Sequence, residues 1–243
     1  MFSKKYEIKY YEQNHKGFVK ESALLNILQD IATESAEELG FGPSFVFSNN
    51  YAWVVLKYHI ELFGEIKNLP YITLTTEPRG ITKLYAFRDF AIYSPNGEKI
   101  GAATSCWALI DGETRRMLSL QKTLPMMFPF EKRETDLIYE KFDLPDTHDF
   151  IKEFNVRFDD VDVNEHANNS NYVVWALETL PYDYRNSHRI NTMDIKYRKE
   201  TTYGHSVISE TKHIADDNVT IHLLKDKDNN EELCCIKILW SKI

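Results

Sequence analysis

An α+β fold made of two tandem copies of one unit is what this 243-residue chain predicts, on three observations. Runs that alternate apolar and polar residues mark many short strands, a long stretch carries a helical apolar stripe, and the order of these elements occurs twice. Each copy reads as a strand, a long helix and several antiparallel strands, a curved sheet wrapped around its helix. The copies are expected to pair edge to edge as a pseudo-dimer, which removes exposed strand edges. Residues 126–149 lack a period, carry mixed charge and hold two prolines. They make the linker (126–150) between a first copy at 1–125 and a second at 151–243.

Tyr6, Ile8 and Tyr10 alternate with polar neighbours and predict the first strand over 6–10. A helix then opens near Ser22, with Leu24, Leu28, Ile31, Ser35 and Leu39 on one stripe, widened by Leu25, Ala32 and Ala36 and closed by Gly40. After a Pro43-Ser44 turn and a short amphipathic segment, strands are expected at 52–62, 71–77, 84–93 and 99–111, with Pro95-Asn96-Gly97 as a hairpin turn. The second copy repeats the order with a strand at 154–158, a helix at 169–180 stopped by Pro181, and strands at 193–197 and 205–213. Both copies end alike, Trp107-Ala108-Leu109-Ile110 in one and Ile238-Leu239-Trp240 in the other.

Composition narrows the function. A hydrophobic share of 43% is enough for a large core, and a net charge of −8 argues against non-specific nucleic-acid binding. No apolar run is long enough to span a bilayer, and the opening residues have no apolar signal-peptide core, so no membrane association and a cytoplasmic location are expected. Cys106, Cys234 and Cys235 lie in apolar strand-like runs and read as buried thiols in a reducing compartment.

Residues 154–181 depart from this ordinary pattern. A dense polar segment, Asp159-Asp160-Val161-Asp162-Val163-Asn164-Glu165-His166, leads through Ala167-Asn168-Asn169-Ser170 into a helix with Tyr172, Trp175, Ala176 and Thr179 near one face. Unpaired N–H groups and the positive end of the helix dipole sit at the same place and favour developing negative charge. A calcium loop would use Asp160, Asp162 and Asn164, but its sixth position needs Gly where Glu165 stands, and its twelfth needs Glu where Asn171 stands. A transition-metal site lacks a second His or Cys near His166. Helix capping alone needs one such residue, not five. Gly42-Pro43-Ser44 is followed by Phe45 and Val46 with no second Gly, so a G-x-S-x-G nucleophile elbow is absent. Catalysis by polar groups at the helix mouth remains, with water as nucleophile and neither cofactor nor metal expected.

The stretch Asp162-Val163-Asn164-Glu165-His166-Ala167-Asn168-Asn169, followed by Tyr172, Trp175, Glu178 and Pro181, resembles the D-x-N-x-H-x-N-N…Y…W…E…P signature of acyl-acyl-carrier-protein thioesterases. Tyr197-Arg198-Lys199-Glu200-Thr201 is similar to that family's Y-R-R-E-C segment. The resemblance implies tandem hotdog repeats, the first holding the acyl chain and the second supplying catalysis. It implies hydrolysis of the thioester between a fatty acyl chain and the phosphopantetheine of acyl carrier protein, which would be the partner. Asp162, Asn164, His166 and Glu200 fall on the family's catalytic positions. Thr201 stands where plant members carry Cys, so no thiol nucleophile carries over.

In the roles this implies, Asn164 and the N–H groups opening the helix, with Asn168 and Asn169, face the thioester carbonyl as it becomes an oxyanion. Glu200 holds and deprotonates water. His166 and Asp162 orient Asn164 and the water or share the proton work; which carboxylate is the base stays open. The bland reading of Glu200 is an ion pair with Arg198 or Lys199. Trp53 and Val54, with Leu56, are apolar enough to wall an acyl tunnel that Phe45, Val46 and Phe47 would close, or else form plain core. Arg115, Arg116, Arg79, Lys83 and Arg88 offer positive charge for docking an acidic carrier. A coenzyme A thioesterase of the same fold and a non-catalytic acyl-binding regulator are the rival readings, and the chain alone or a homodimer is the assembly expected.

Overall fold

The computed structural model describes every residue except Thr135, Ile138 and Glu140. It has two compact units, Met1–Tyr139 and Glu140–Ile243. In the first, strand β1 (Phe2–Glu7) leads through a 3-10 turn (Tyr10–Glu12) to helix α1 (Glu21–Glu38) and the short helix α2 (Pro43–Asn49). Then come β2 (Tyr51–Leu62), β3 (Tyr71–Ile81), β4 (Ala86–Tyr93), β5 (Lys99–Asp111) and the single-turn α3 (Leu120–Thr123). The strands pair antiparallel in the order β1-β3-β4-β5-β2. The second unit has β6 (Phe150–Asn155), a 3-10 turn (Phe158–Asp160), α4 (Asn169–Leu177), α5 (Tyr182–Ser187), β7 (His188–Tyr197), β8 (Ser206–Ile214), β9 (Val219–Asp226) and β10 (Glu232–Lys242). Its antiparallel order, β6-β8-β9-β10-β7, is that of the first unit.

The packing follows from periodicity. Alternation along β3 buries Ile72, Leu74 and Thr76 where α1 lies against it, and the helical stripe supplies Leu24, Leu28 and Ile31, all buried. Each large aliphatic so enclosed stabilises the unit by about 1.5–3 kcal/mol. Gly40, at φ +82°, ends the helix, and its N–H bonds the Glu37 carbonyl. Leu39 is exposed instead of continuing the stripe, because the chain reverses there and Phe41 turns inward in its place. The Pro95-Asn96-Gly97 hairpin joins β4 to β5, with Gly97 at φ +84°.

Three expectations are corrected. The strands expected at 6–10 and 154–158 end earlier, and Tyr10 and Phe158 are exposed. In both places an acidic side chain takes a backbone N–H out of the ladder: Glu12 from Lys9 (2.7 Å), Asp160 from Arg157 (2.8 Å). The second helix ends three residues earlier than expected, at Leu177 instead of 180. The Thr179 hydroxyl bonds the Ala176 carbonyl (2.6 Å), the last turn tightens to Leu180, and Pro181 caps α5. Arg79 and Arg88 are buried and cannot dock a partner, whereas Lys83, Arg115 and Arg116 are exposed.

Much of the expected linker is laid on the first unit. The Ile81 N–H bonds Phe128 and the Phe130 N–H bonds Ile81 (3.0 and 2.9 Å), beside Gly80 at φ +106°. Arg79 grips Asp136 at 2.6 Å. Within 126–150, Thr135, Ile138 and Glu140 lie outside the described residues. Cys234 and Cys235 are buried and Cys106 half-buried, and all three are free. Burial raises each thiol, Cys106 to about 11.

A polar chain crosses the second core: Thr179 to Thr211, Thr211 to His222 Nδ1 (2.7 Å), His222 Nε2 to Thr220 (2.8 Å), and Trp240 Nε1 to Thr220 (2.9 Å). Burial holds the His222 imidazole down at about 3. The folded state therefore keeps the ring neutral while the unfolded chain takes up a proton below about 6.5. Its contribution is complete above that value and is lost as the pH falls toward 3, by up to about 1.4 kcal/mol per pH unit. In urea titrations between pH 7 and 4, the His222→Gln variant is expected to lose less midpoint than the parent. Parallel curves would remove His222 from the acid response.

Candidate active site

The polar segment ahead of α4 folds into a tight turn built by Asp162. Its N–H bonds the His166 carbonyl (2.9 Å), its carbonyl accepts from Glu165 (3.0 Å), and its Oδ1 accepts the Asn164 N–H (2.8 Å). Asx side chains close turns in this way, and Glu165 takes the left-handed conformation at φ +64°. Val161 and Ala167 bridge the base of the turn. The Asp160 carboxylate, which the calcium pattern would have used, is buried and engaged by Arg157 at 2.6 Å. Its carbonyl accepts the Asn168 N–H and the Asn171 side-chain amide, 2.8 and 2.9 Å.

A second segment meets the turn from the end of β7. The Ala167 N–H bonds the Thr201 carbonyl (2.8 Å), the Thr201 N–H bonds the Tyr172 hydroxyl (3.1 Å), and that hydroxyl reaches the Lys199 carbonyl (3.5 Å). Tyr197, at the strand end, donates to the Asn169 carbonyl at 3.1 Å. Glu200 thus sits between two anchored residues, with a carboxylate oxygen 3.4 Å from His166 Nε2. Arg198 pairs with Glu232 (2.6 Å) and Lys199 with Glu231, so the ion pair that would have made Glu200 ordinary is made by other carboxylates. His166 Nδ1 is buried with no hydrogen-bond partner among the described residues, which leaves Nε2 as the nitrogen facing Glu200.

The sequence-expected residues separate into three groups. His166 and Glu200 come together side chain to side chain, while Asp162 positions Asn164 through the backbone. The exposed Asn164 amide makes no side-chain hydrogen bond among the described residues. Asn168 caps α4 by accepting the Ser170 N–H (2.9 Å), which commits one of the expected oxyanion donors; the Asn169 N–H and the dipole end remain. Trp53 lines an apolar cavity inside the first unit, its indole N–H on the Phe41 carbonyl at 2.8 Å. Val54, on the opposite face of β2, does not line that cavity. Phe45 and Val46 pack on the cluster beside it, whereas Phe47 is exposed and closes nothing.

Sequence reading missed the positioning phenols of Tyr172 and Tyr197, which pattern alone places in the core. It also missed that the first unit contains the same turn. Asn14 Oδ1 accepts the Lys16 N–H (3.0 Å), Asn14 and Phe18 pair as Asp162 and His166 do (2.8 Å), and Gly17 takes the left-handed place of Glu165. The Val19 N–H bonds the Ile66 carbonyl (2.9 Å) as Ala167 bonds Thr201. Here Lys16 replaces Asn164 and Phe18 replaces His166, so this copy keeps the backbone and carries different side chains at the two matched positions. An Asn followed three residues later by Gly was the available signal.

One helix-on-sheet unit present twice, with an imidazole–carboxylate pair at the helix mouth of the second, defines a tandem hotdog protein. The chain belongs to the acyl-ACP thioesterase family: that family's N-terminal domain matches residues 1–126 and its C-terminal domain residues 144–242. It is similar to the chloroplastic oleoyl-acyl carrier protein thioesterase of Coriandrum sativum, 24% identical over 239 residues, covering 90% of this chain and 64% of that protein. The chain thus spans just under two thirds of that relative's length. A Lactobacillus plantarum structure provisionally named an oleoyl thioesterase is 27% identical with a TM-score of 0.86, over 100% of this chain and 96% of the other. An acyl-ACP thioesterase structure from Bacteroides thetaiotaomicron shares the fold (TM-score 0.86, 22% identity, 99% and 97% covered).

Replacing Tyr172 with Phe removes the acceptor of the buried Thr201 N–H, a loss of about 1–3 kcal/mol. Because that bond holds the segment bearing Glu200, turnover is expected to fall more than KM rises, with the circular-dichroism spectrum unchanged. An unaltered kcat would detach Tyr172 from the positioning of Glu200.

Proposed function

We propose that this chain hydrolyses fatty acyl-acyl carrier protein to free fatty acid and carrier protein, using water and the groups around α4 of the second unit. The observation that carries this reading is the His166–Glu200 pair, 3.4 Å apart at the mouth of a helix, in a chain of this family. Water held by Glu200 attacks the thioester carbon and gives its proton to the carboxylate. The carbonyl oxygen becomes an oxyanion facing the Asn164 amide and the positive end of α4, where each well-aimed donor contributes about 2.7–4 kcal/mol. On collapse the C–S bond breaks, and the proton taken from water reaches the departing sulfur through His166. Asp162 shapes the turn that presents Asn164.

The apolar cavity of the first unit, beside Trp53, supports this reading as a seat for the acyl chain. The exposed Lys83, Arg115 and Arg116 are offered for an acidic carrier. Among the described residues no helix is long and apolar enough to cross a membrane, and the cysteines are free. These features support the cytoplasm as the proposed location. All four polar residues belong to one chain, so the reading needs no second copy.

Asn164→Ala, His166→Ala and Glu200→Ala are each expected to lower kcat about a hundredfold or more with the fold intact. Thr201→Ala, which removes a buried hydroxyl lacking a partner among the described residues, is expected to change it by about threefold or less. Thiol release from one acyl chain on carrier protein and on coenzyme A checks both points. Full activity in Glu200→Ala would remove this carboxylate from the mechanism, and a preference for coenzyme A would replace the carrier.

A further inference from the structure

The cavity of the first unit has walls of aliphatic and aromatic side chains, among them Ala32, Ala36, Trp53 and Trp107, and one charged residue among those described, Arg88 of β4. Arg88 is 6% exposed. Its Nη1 donates to Ser35 Oγ (3.0 Å) and Thr76 Oγ1 (3.1 Å), both neutral, and it makes no ion pair among the described residues. A guanidinium has five N–H donors, so three remain uncommitted in an apolar setting. Burial lowers its pKa to about 10, which still leaves it cationic at neutral pH. Arg79, equally buried in the same unit, is neutralised by Asp89 at 2.5 Å and Asp136 at 2.6 Å. An enclosed charge without a counter-ion is a costly arrangement for packing alone.

The second unit shows how the same position looks when it is closed. Thr76 and Thr211 both pair with the first residue of their edge strands, Phe2 and Phe150. Across from them lie Phe90 and His222, so two residues earlier Arg88 corresponds to Thr220. There the hydroxyl is taken up by His222 and Trp240, and the imidazole is held at both nitrogens. The polar site of one unit is complete in itself; that of the other ends in unused donors on a cavity wall.

We infer that Arg88 is a polar subsite for an oxygen acceptor, hydroxyl or carboxylate, carried on the distal part of the acyl chain. The inference rests on the acyl-thioester reading above. A methyl-ended chain reaching Arg88 leaves the three N–H groups unpaired. A terminal carboxylate matches the guanidinium fork with two parallel bonds, and a terminal hydroxyl takes one.

The test loads carrier protein with chains of equal length ending in methyl, hydroxyl or carboxylate, and measures thiol release by the full chain and by Arg88→Met and Arg88→Lys. The ratio of kcat/KM for each oxygen-ended chain to the methyl-ended chain is expected to fall about tenfold or more in Arg88→Met and less in Arg88→Lys. The hydroxyl and carboxylate arms show which acceptor is served. Equal losses on all three chains, or unchanged ratios, would overturn the subsite and leave Arg88 a structural tie between α1, β3 and β4. If no chain is hydrolysed by the parent, the hydrolase reading fails. The subsite is then decided by calorimetry of the free mono- and dicarboxylic acids: tighter binding of the diacid by the parent alone upholds it, and equal binding refutes it. A variant that does not fold is replaced by Arg88→Gln in the same comparison.

Discussion

The bond from the Ala167 N–H to the Thr201 carbonyl, 2.8 Å, joins the two segments that carry the candidate site of the second unit. It ties the turn before α4 to the segment after β7, places separated by more than thirty residues, and without it His166 and Glu200 have no reason to meet. Every other contact of the site supports this tie. The Tyr172 hydroxyl holds Thr201 and Lys199, Tyr197 holds the first residue of α4, and Asp162 closes the turn that carries Asn164 and His166. Two exposed or half-exposed side chains 3.4 Å apart are thus placed by a buried backbone, which is how a surface-accessible site becomes geometrically defined.

The duplication separates scaffold from chemistry. Both units make the same turn, with the same Asx closure and the same left-handed residue, and both hook it to the strand end by one backbone bond. The site's backbone is therefore a property of the fold, dictated by chain reversal at a helix start, and the side chains placed on it decide whether it can act. Phe18 in place of His166 leaves no imidazole at the matching position of the first turn. The polar pairs between helix and sheet diverge in the same way, a satisfied imidazole in one core and a charged guanidinium in the other.

Most of the strands were legible because alternation in a half-buried antiparallel sheet is strong: the residues of β5 were read to both ends, and β2 to within one. The edge strands were misplaced because Tyr6, Ile8 and Tyr10 keep the alternating pattern while Glu12 pulls the backbone away, and a side chain bonding to the main chain leaves no trace in hydropathy. Helix α4 was overestimated for a related reason, since the Thr179 hydroxyl displaces a helical bond that composition permits. The polar residues at the helix mouth were visible as an excess no cap requires. Glu200 was singled out by the resemblance alone, because two adjacent cations offered it a plausible ion pair, and the fold shows Glu231 and Glu232 pairing with them. The burial of Arg79 and Arg88 was likewise invisible, for a sequence lists charges without saying which face of a strand they occupy.

The placement of the cysteines has a practical side. Colorimetric disulfide reagents react with thiolates, and here two sulfurs are sealed in β10 while the third is half-covered in β5, where burial pushes the thiol up to about 11. Near neutrality the protein adds almost nothing to such a reading. Thiol unmasked by the proposed hydrolysis can then be followed continuously with the native chain, with no alkylated or cysteine-free version needed for a flat baseline.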